Sequence, residues 1–274
     1  MNSVHARLYK YMPPERASSV LRKGLIRFSQ ASVMNDIEEF KPPINALATS
    51  AVFQERFRER ADVLRPGLMD LVEKQGPEYM EKQRGKGEQN LPRTIQTIYE
   101  TADKNFGILS LSDLATSTCM WKRYADQGRG FLVEFDSAHR WFNQKISRDD
   151  DFRHLRRISY VTDRTPAYLL GITAQAYFYT KETKWEYESG WRIILNFNSA
   201  ACKVGKDNTA TDVLLFAIPP DCLLSVTVGY NASPEFIEEV RTALGANPSL
   251  SHVHLNAAKR FDDGSIEIGA LDAA

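Results

Sequence analysis

The chain has 274 residues, of which 43% are hydrophobic and 26% are charged, as is usual for a globular protein with a substantial core. Its 35 basic residues balance its 35 acidic residues, which excludes a global electrostatic attraction to nucleic acid or to anionic lipid. Three cysteines without a Cys-x-x-Cys spacing argue against a disulfide scaffold or a zinc ribbon.

No apolar run approaches the roughly 18 residues that a membrane-spanning helix requires. The first ten residues also have no apolar run, so we expect no signal peptide, no membrane partner and a cytoplasmic location.

The N-terminal segments predict a strand, a helix, a strand and a loop. The aromatic strand covers residues 8–11, and the helix runs from Pro14 to Gly24, which supplies its stop. The second strand covers residues 25–29 and leads to a turn-prone Asn-Asp pair at residues 35–36.

Residues 50–105 show apolar side chains at helical spacings and predict a helical insert packed on one sheet edge. Within this insert, the polar residues 81–90, with Gly85 and Gly87, predict a mobile loop, and Pro92 predicts the start of the last helix. We interpret residues 1–274 as a single domain that contains this insert.

The remaining chain alternates short strands with few long helices. Strands are predicted at residues 108–111, 131–135, 158–161, 191–195, 214–218 and 223–228, a buried helix at 166–179, a helix capped by Ser233, and a hairpin of 253–255 with 266–268. Because strands outnumber long helices and do not alternate with them regularly, the pattern predicts an α+β fold rather than a doubly wound sheet.

The first candidate site is the segment from Lys184 to Arg192, in which Glu186 and Glu188 flank a tyrosine. In an extended segment both carboxylates point to one face. A carboxylate there would hold a sugar hydroxyl and stabilise positive charge developing at an anomeric carbon. The alternative is a solvent-exposed loop whose tryptophans cover the core.

The second candidate is the face of the first strand that carries Tyr9 and Tyr11, with Ser29 and Asn35 nearby if the first two strands pair. A tyrosine ring stacks on planar ligands, and a serine hydroxyl orients an amide. Two tyrosines packing the edge of a core are the alternative.

The third candidate combines Trp121 and Tyr124 with Arg123 and Arg129 near two glycines. Arginine suits bidentate phosphate contact, although a glycine-rich turn usually needs no ligand. The chain has no Walker loop, no G-x-G-x-x-G, no H-E-x-x-H and no G-x-S-x-G, and these absences exclude the commonest classes of enzyme. We also expect no metal site.

The order of these segments resembles a widespread bacterial family of unknown function, whose members read roughly LYKY, FNDPFE, LS, MWxxYA, G and W-x-YE-x-EWR. The matching pieces are Leu8-Tyr9-Lys10-Tyr11, residues 25–29 with Asn35-Asp36, Leu109-Ser110-Leu111, Met120-Trp121 with Tyr124, Gly130 with Phe135, and Lys184-Trp185 with Tyr187-Glu188 and Trp191-Arg192. The match spans residues 8–229. Ile37 and Glu38 replace the family's Pro-Phe, while Gly128 and Gly190 replace its histidine and its second acid.

The layout of that family resembles in turn the ADP-ribosyltransferase fold. The resemblance implies a mixed, mostly antiparallel split sheet, with NAD as the substrate and Glu188, or Glu186, as the catalytic carboxylate near the ribose. The residues that it implies around NAD are Tyr9, Tyr11 and Ser29 on the nicotinamide side, with Asn35, Trp121, Tyr124 and Arg192.

Three hypotheses follow. The first is an NAD-dependent ADP-ribosyltransferase or NAD glycohydrolase, such as a toxin or phage-defence effector, with an unidentified protein or nucleic-acid acceptor. It predicts that Glu188→Gln abolishes nicotinamide release with a nearly unchanged thermal midpoint. The second is a non-catalytic nucleotide- or peptide-binding sensor module, favoured by Gly128 and Gly190. The third is a nuclease or hydrolase that uses Glu38, Glu39 and Glu186 with a divalent ion.

Overall fold

The computed structural model describes residues 7–36 and 38–271, with the backbone alone at residues 61, 62 and 64. Most of the N-terminal segment considered for a signal peptide, and the family departure at Ile37, lie outside the described residues. In the part that is described, no helix combines the length and the apolar character needed to cross a membrane.

Over the described ranges the chain forms fifteen strands and six α-helices, joined by short 3-10 and π-helical turns. The strands are β1 Arg7–Met12, β2 Leu25–Phe28, β3 Ile44–Ala46, β4 Phe106–Ser112, β5 Phe131–Asp136, β6 Arg156–Arg157, β7 Ser159–Val161, β8 Ala167–Tyr168, β9 Thr180–Glu182, β10 Gly190–Asn196, β11 Cys202–Lys206, β12 Asp212–Ala217, β13 Leu223–Val228, β14 His254–Arg260 and β15 Ile266–Ala270. The helices are α1 Ser50–Leu64, α2 Leu68–Gln75, α3 Pro77–Asn105, α4 Thr118–Tyr124, α5 Ala174–Phe178 and α6 Pro234–Gly245.

The largest sheet has eight strands in the order β15-β14-β13-β5-β1-β4-β10-β6, and a second sheet has the order β11-β12-β2. Neighbouring strands of the large sheet pair antiparallel, apart from the parallel pair of β13 and β14. The structure is therefore α+β with a mixed, mostly antiparallel sheet, as predicted. The expected C-terminal hairpin is confirmed by the antiparallel pairing of β14 with β15.

One edge of β4 is shared by two strands that diverge from each other. β1 meets β4 at the pair Tyr9–Ser112, whereas the chain just after β2 meets it at an isolated bridge between Ser29 and Ile108. The first two strands therefore do not pair with each other. β1 lies between β5 and β4 in the large sheet, and β2 pairs with β12 in the second sheet. We call the gap between them, along β4 from Ile108 to Ser112, the fork.

The two faces of the large sheet are covered by different elements. Leu8 and Met12 of β1 join the main core with residues of α6 and of the π-helical turn at Ser18–Arg22. Tyr11 packs instead with Trp121 of α4 in a smaller cluster, to which Tyr9 also belongs. The predicted common face of Tyr9 and Tyr11 is therefore confirmed, since alternate residues of a strand point to opposite faces.

The predicted mobile loop at residues 81–90 is wrong, because this segment lies inside the continuous helix α3, as does Pro92. Interior glycine is unfavourable in a helix by about 1 kcal/mol each and proline by more. Two local ion pairs and one tertiary contact offset this: Arg84 pairs with Glu81 and Glu88 within the helix, and the Glu88 carboxylate accepts the backbone N–H of Leu47.

Helix α3 leads directly into β4. Its buried Ala102 joins a cluster with Ile108 of β4 and Ile194 of β10, the strand next to the edge strand β6. The predicted helix at residues 166–179 is also wrong. Only α5 is helical there, because β8 pairs in parallel with β3, a distant partner that no local pattern reveals.

Candidate active site

A cavity of about 210 Å³ opens at the fork. The predicted site residues that line it are Tyr9, Tyr11, Ser29, Asn35, Tyr124, Glu188 and Arg192. Pockets that enclose drug-sized ligands measure roughly 300–1,000 Å³. The cavity is therefore smaller than such pockets and encloses only part of a ligand of that size.

Glu188 enters the cavity from a tight turn. The residues before it form a 3-10 helix, Thr183–Glu188, and Ser189 then adopts a left-handed conformation (φ 42°) that leads the chain into β10. The Oγ of Ser112 fixes this turn by donating to the Glu188 carbonyl oxygen at 2.6 Å. The Glu188 side chain is consequently buried, with 8% exposure, although it is charged.

Both carboxylate oxygens of Glu188 have donors. The Tyr124 hydroxyl donates to Oε1 at 2.5 Å, and the Lys181 ammonium donates to Oε2 at 2.7 Å. Burial, followed by the negative charge of Glu188, raises the pKa of Tyr124 far above its usual value, so this hydroxyl stays protonated as a donor. Asn35 Nδ2 donates in turn to the Tyr124 oxygen at 2.5 Å.

Lys181 belongs to a line of alternating buried charges that we call the charge chain: Arg192, Glu39, Lys181 and Glu188. The Lys181 ammonium lies 3.4 Å from Glu39 Oε2, and Glu39 also pairs with Arg192. Arg192 donates to the Phe178 carbonyl oxygen at 2.6 Å. The two positive and two negative charges compensate each other, which buried charges require.

Glu39 and Lys181 were missing from the predicted site. Glu39 had a detectable signal, because it matches the closing acid of the bacterial family's Asn-Asp motif, but it was assigned to the alternative metal hypothesis. Lys181 lies in a charged run with no motif of its own. Its role depends on the parallel pairing of β7 and β9, which brings it beside Glu188.

Trp185 shields Lys181 from solvent. The centre of its ring lies 4.5 Å from the Lys181 Nζ and 4.6 Å from the Arg123 guanidinium carbon. Its indole N–H donates to Asp36 at 2.8 Å. The tryptophan therefore covers buried groups, as the alternative interpretation of this segment proposed, while Glu188 in the same segment faces the cavity.

Glu186 and Trp121 do not reach the cavity. The expectation that Glu186 shares a face with Glu188 is wrong, since the segment is helical rather than extended, and Glu186 is exposed. Trp121 is fully buried, donates its indole N–H to the Ala115 carbonyl oxygen, and packs edge-on against Tyr11. Trp121 therefore packs in the core, and the prediction that it contacts NAD is wrong.

The two tyrosines of β1 differ in accessibility. Tyr11 is 4% exposed, and its hydroxyl donates to the Leu114 carbonyl oxygen at 2.7 Å, so it forms a fixed wall of the cavity. Tyr9 is half-buried and has a ring available to a ligand. Burial, and then the nearby Glu134, raise the pKa of the Tyr9 hydroxyl, which keeps the ring neutral at pH 7.

Lys10 lies between the tyrosines in sequence and lines the same cavity. Its ammonium donates to the Ser110 carbonyl oxygen of β4 at 2.9 Å, on the side of β4 where β1 pairs only at Ser112. Burial, opposed in part by the charge of Glu188, lowers the pKa of Lys10 from 10.5 to about 8. Sequence reasoning did not select this lysine, although it belongs to the LYKY motif.

This buried ammonium predicts a pH-dependent stability. The pKa of Lys10 is about 8 in the folded protein and 10.5 in the unfolded chain, so the unfolded chain binds this proton more tightly. The free energy of unfolding is therefore reduced by the full penalty below pH 8, and it rises as the pH increases from 8 to 10.5. The difference is at most about 3 kcal/mol, at about 1.4 kcal/mol for each tenfold change in proton affinity. Lys10→Met should therefore be more stable than the wild type at pH 7, with the gap closing towards pH 10.5. Urea unfolding at both pH values checks this, and a pH-independent difference would contradict it.

The two glycines that depart from the bacterial family differ in how strictly their surroundings require glycine. Gly128 has a φ of +80°, and a Cβ there would lie 2.4 Å from the Tyr230 ring, so a histidine would be strained at this position. A Cβ atom at Gly190 would lie 2.7 Å from Ile158 Cδ1, the end of a side chain that can shift, and the Gly190 N–H donates to the Tyr160 hydroxyl oxygen. A second acid at Gly190 therefore requires Ile158 to move.

The acids of the metal hypothesis are not brought together. Glu39 is buried in the charge chain, whereas Glu38 and Glu186 are exposed. Across residues 7–36 and 38–271, no three His, Cys, Asp or Glu side chains form a group that could hold a metal ion.

The resemblance to the bacterial family, and through it to ADP-ribosyltransferases, remains a prediction. Its first and last motifs contribute Tyr9 and Glu188 to one cavity. Comparisons with protein-family models, with curated proteins and with solved structures found no match for this chain.

Proposed function

We propose that this protein is an NAD-dependent ADP-ribosyltransferase or NAD glycohydrolase, with Glu188 as its catalytic carboxylate. One observation carries the proposal: the aromatic strand β1 and Glu188, far apart along the chain, line a single cavity. The cavity lies where a sheet divides, and the described chain begins with a strand, two short helical turns and a strand. These features support an ADP-ribosyltransferase-like arrangement, and the chemistry is argued from the site because one fold supports many functions.

The reaction that we propose breaks the bond between the nicotinamide nitrogen and C1′ of the ribose. Its electron pair leaves with nicotinamide, and positive charge develops on the ribose ring. The Glu188 carboxylate, held by Lys181 and Tyr124, supplies fixed negative charge next to that ring. Water or an acceptor hydroxyl then bonds to C1′ and releases a proton.

The half-buried Tyr9 is the residue suited to stack on the nicotinamide ring, because it lines the cavity and is partly exposed. Ser29 lines the same cavity and has a hydroxyl that can orient the carboxamide. Arg192 contributes indirectly: it holds Glu39, which shares Lys181 with Glu188.

A second candidate function is a non-catalytic nucleotide sensor. Two observations favour it: both oxygens of Glu188 already have donors, and Gly190 provides no second acid beside it. A sensor would use the same cavity for binding and would not break the glycosidic bond.

The experiment incubates the purified protein with NAD and measures free nicotinamide by chromatography, together with the thermal midpoint at increasing NAD concentrations. Release of nicotinamide supports the enzyme. A raised midpoint without release, also after addition of cell extract as a source of acceptors, supports the sensor. If NAD neither changes the midpoint nor is consumed, both functions are wrong.

A further inference from the structure

Three hydrogen-bond donors at the bottom of the fork have unused capacity. The Lys10 ammonium donates to one protein acceptor, the Ser110 carbonyl oxygen. The Ser110 Oγ and the Arg192 Nε are buried without a hydrogen-bond partner among the described residues. Ser110 and Arg192 are opposite each other in the pairing of β4 with β10, so their side chains lie on one face of the sheet.

Such groups are costly to bury without partners. An unsatisfied buried polar group destabilises the fold by about 1–3 kcal/mol, and more when it is charged. Arg192 is 1% exposed, so bulk water does not satisfy its Nε–H. Most buried polar atoms in proteins are paired, so these two unpaired atoms require an explanation, and a bound ion is one that would satisfy both.

The charge of the cavity wall favours an anion. Its lining side chains include the cations Lys10, Lys181 and Arg192 but only the acids Glu39 and Glu188. The charge chain balances two cations with two acids and leaves Lys10 as the excess positive charge.

We propose that the floor of the fork, formed by Lys10, Ser110 and Arg192, binds a phosphate group of the ligand. Phosphate presents several oxygens in a tetrahedral arrangement, which suits donors that come from three different strands, whereas a carboxylate presents two oxygens in one plane. The inference rests on the proposed function only for the location of the ligand. It adds that the ligand is recognised by its phosphate, through donors on β1, β4 and β10.

The test measures the binding of inorganic phosphate by isothermal titration and by the thermal midpoint, with sodium acetate at the same ionic strength as the comparison. Wild-type protein should bind phosphate and be stabilised by it. Lys10→Met should abolish this binding, and Ser110→Ala should weaken it by about tenfold, the loss of one charge-assisted hydrogen bond. The matched control is Lys122→Met, which removes one charge from an exposed side chain outside the cavity and should bind as the wild type does.

Two results overturn the inference: unchanged phosphate binding in both Lys10→Met and Ser110→Ala, or equal stabilisation by acetate and phosphate. AMP and NAD added in the same assay show whether a nucleotide phosphate competes with free phosphate. If phosphate binding depends on Lys10 but NAD is never consumed, the site is established and the proposed enzyme is wrong. If nicotinamide is released while phosphate neither binds nor inhibits, the enzyme stands and the phosphate site is wrong.

Discussion

Replacing Glu188 with glutamine should lower nicotinamide release from NAD by at least about a hundredfold, the scale of losing one fixed electrostatic contact to a transition state. Glutamine has nearly the same shape, and its oxygen still accepts from Tyr124 or Lys181. It lacks the negative charge that would stabilise the developing positive charge on the ribose. The loss should appear in kcat, because that charge forms only as the bond breaks.

The sequence alone suggested that this variant would keep its thermal midpoint, and the structure changes that expectation. Glu188 is buried and compensates Lys181 at 2.7 Å, while the other carboxylate near Lys181, Glu39, is 3.4 Å away. We therefore expect Glu188→Gln to lose about 1–3 kcal/mol of stability, typical of a weakened buried hydrogen bond to a charged group.

The control for this experiment is Glu186→Gln. It makes the same chemical change two residues away, on an exposed side chain outside the cavity. Activity and stability should both remain at wild-type values. A Glu188→Gln protein that releases nicotinamide at the wild-type rate would remove Glu188 from the mechanism, whatever its stability.

Lys181→Met should have the largest effect on stability. The substitution removes the ammonium that Glu39 and Glu188 share, and Glu39 keeps Arg192 as a partner, so the uncompensated charge falls on Glu188. Breaking a buried ion pair by removing one partner destabilises a protein by about 3–5 kcal/mol. Urea unfolding at pH 7 measures this loss.

Two comparisons separate this cause from a general packing defect. Lys184→Met removes an exposed lysine whose partner Glu182 is half-buried, and its effect should be much smaller than that of Lys181→Met. The double variant Lys181→Met with Glu188→Gln removes the uncompensated charge as well, so it should be more stable than Lys181→Met alone. A double variant whose loss equals the sum of the two single losses would contradict the charge chain.

The elements that the sequence predicted correctly are those with a strong local pattern. The alternation of Leu8, Tyr9 and Tyr11 placed the tyrosines on one face of β1, and Ser233 with Pro234 marked the start of α6. The failures share one cause, which is a distant contact that overrides local preference. Residues 81–90 are helical although they contain two glycines, since Glu88 binds the backbone of Leu47.

The sequence also predicted some residues of the candidate site correctly and missed others. Patterns of residues selected Tyr9, Ser29, Asn35, Tyr124, Glu188 and Arg192, all of which line the cavity. They also selected Trp121, because a tryptophan beside arginines looks alike in sequence whether it covers a core or a ligand. They missed Lys10 and Lys181, because a lysine becomes distinctive only when burial lowers its pKa or when it pairs with a buried acid.

Local signals in the sequence are sufficient for the α+β class and for the alternating faces of the strands, because side-chain periodicity and turn residues act within a few positions. The divergence of β1 and β2 along β4, and the position of Lys181 between Glu39 and Glu188, depend on tertiary contacts. Strand pairing and charge compensation join residues that are remote in the chain, and the free energy of those contacts exceeds the local preferences that a sequence displays.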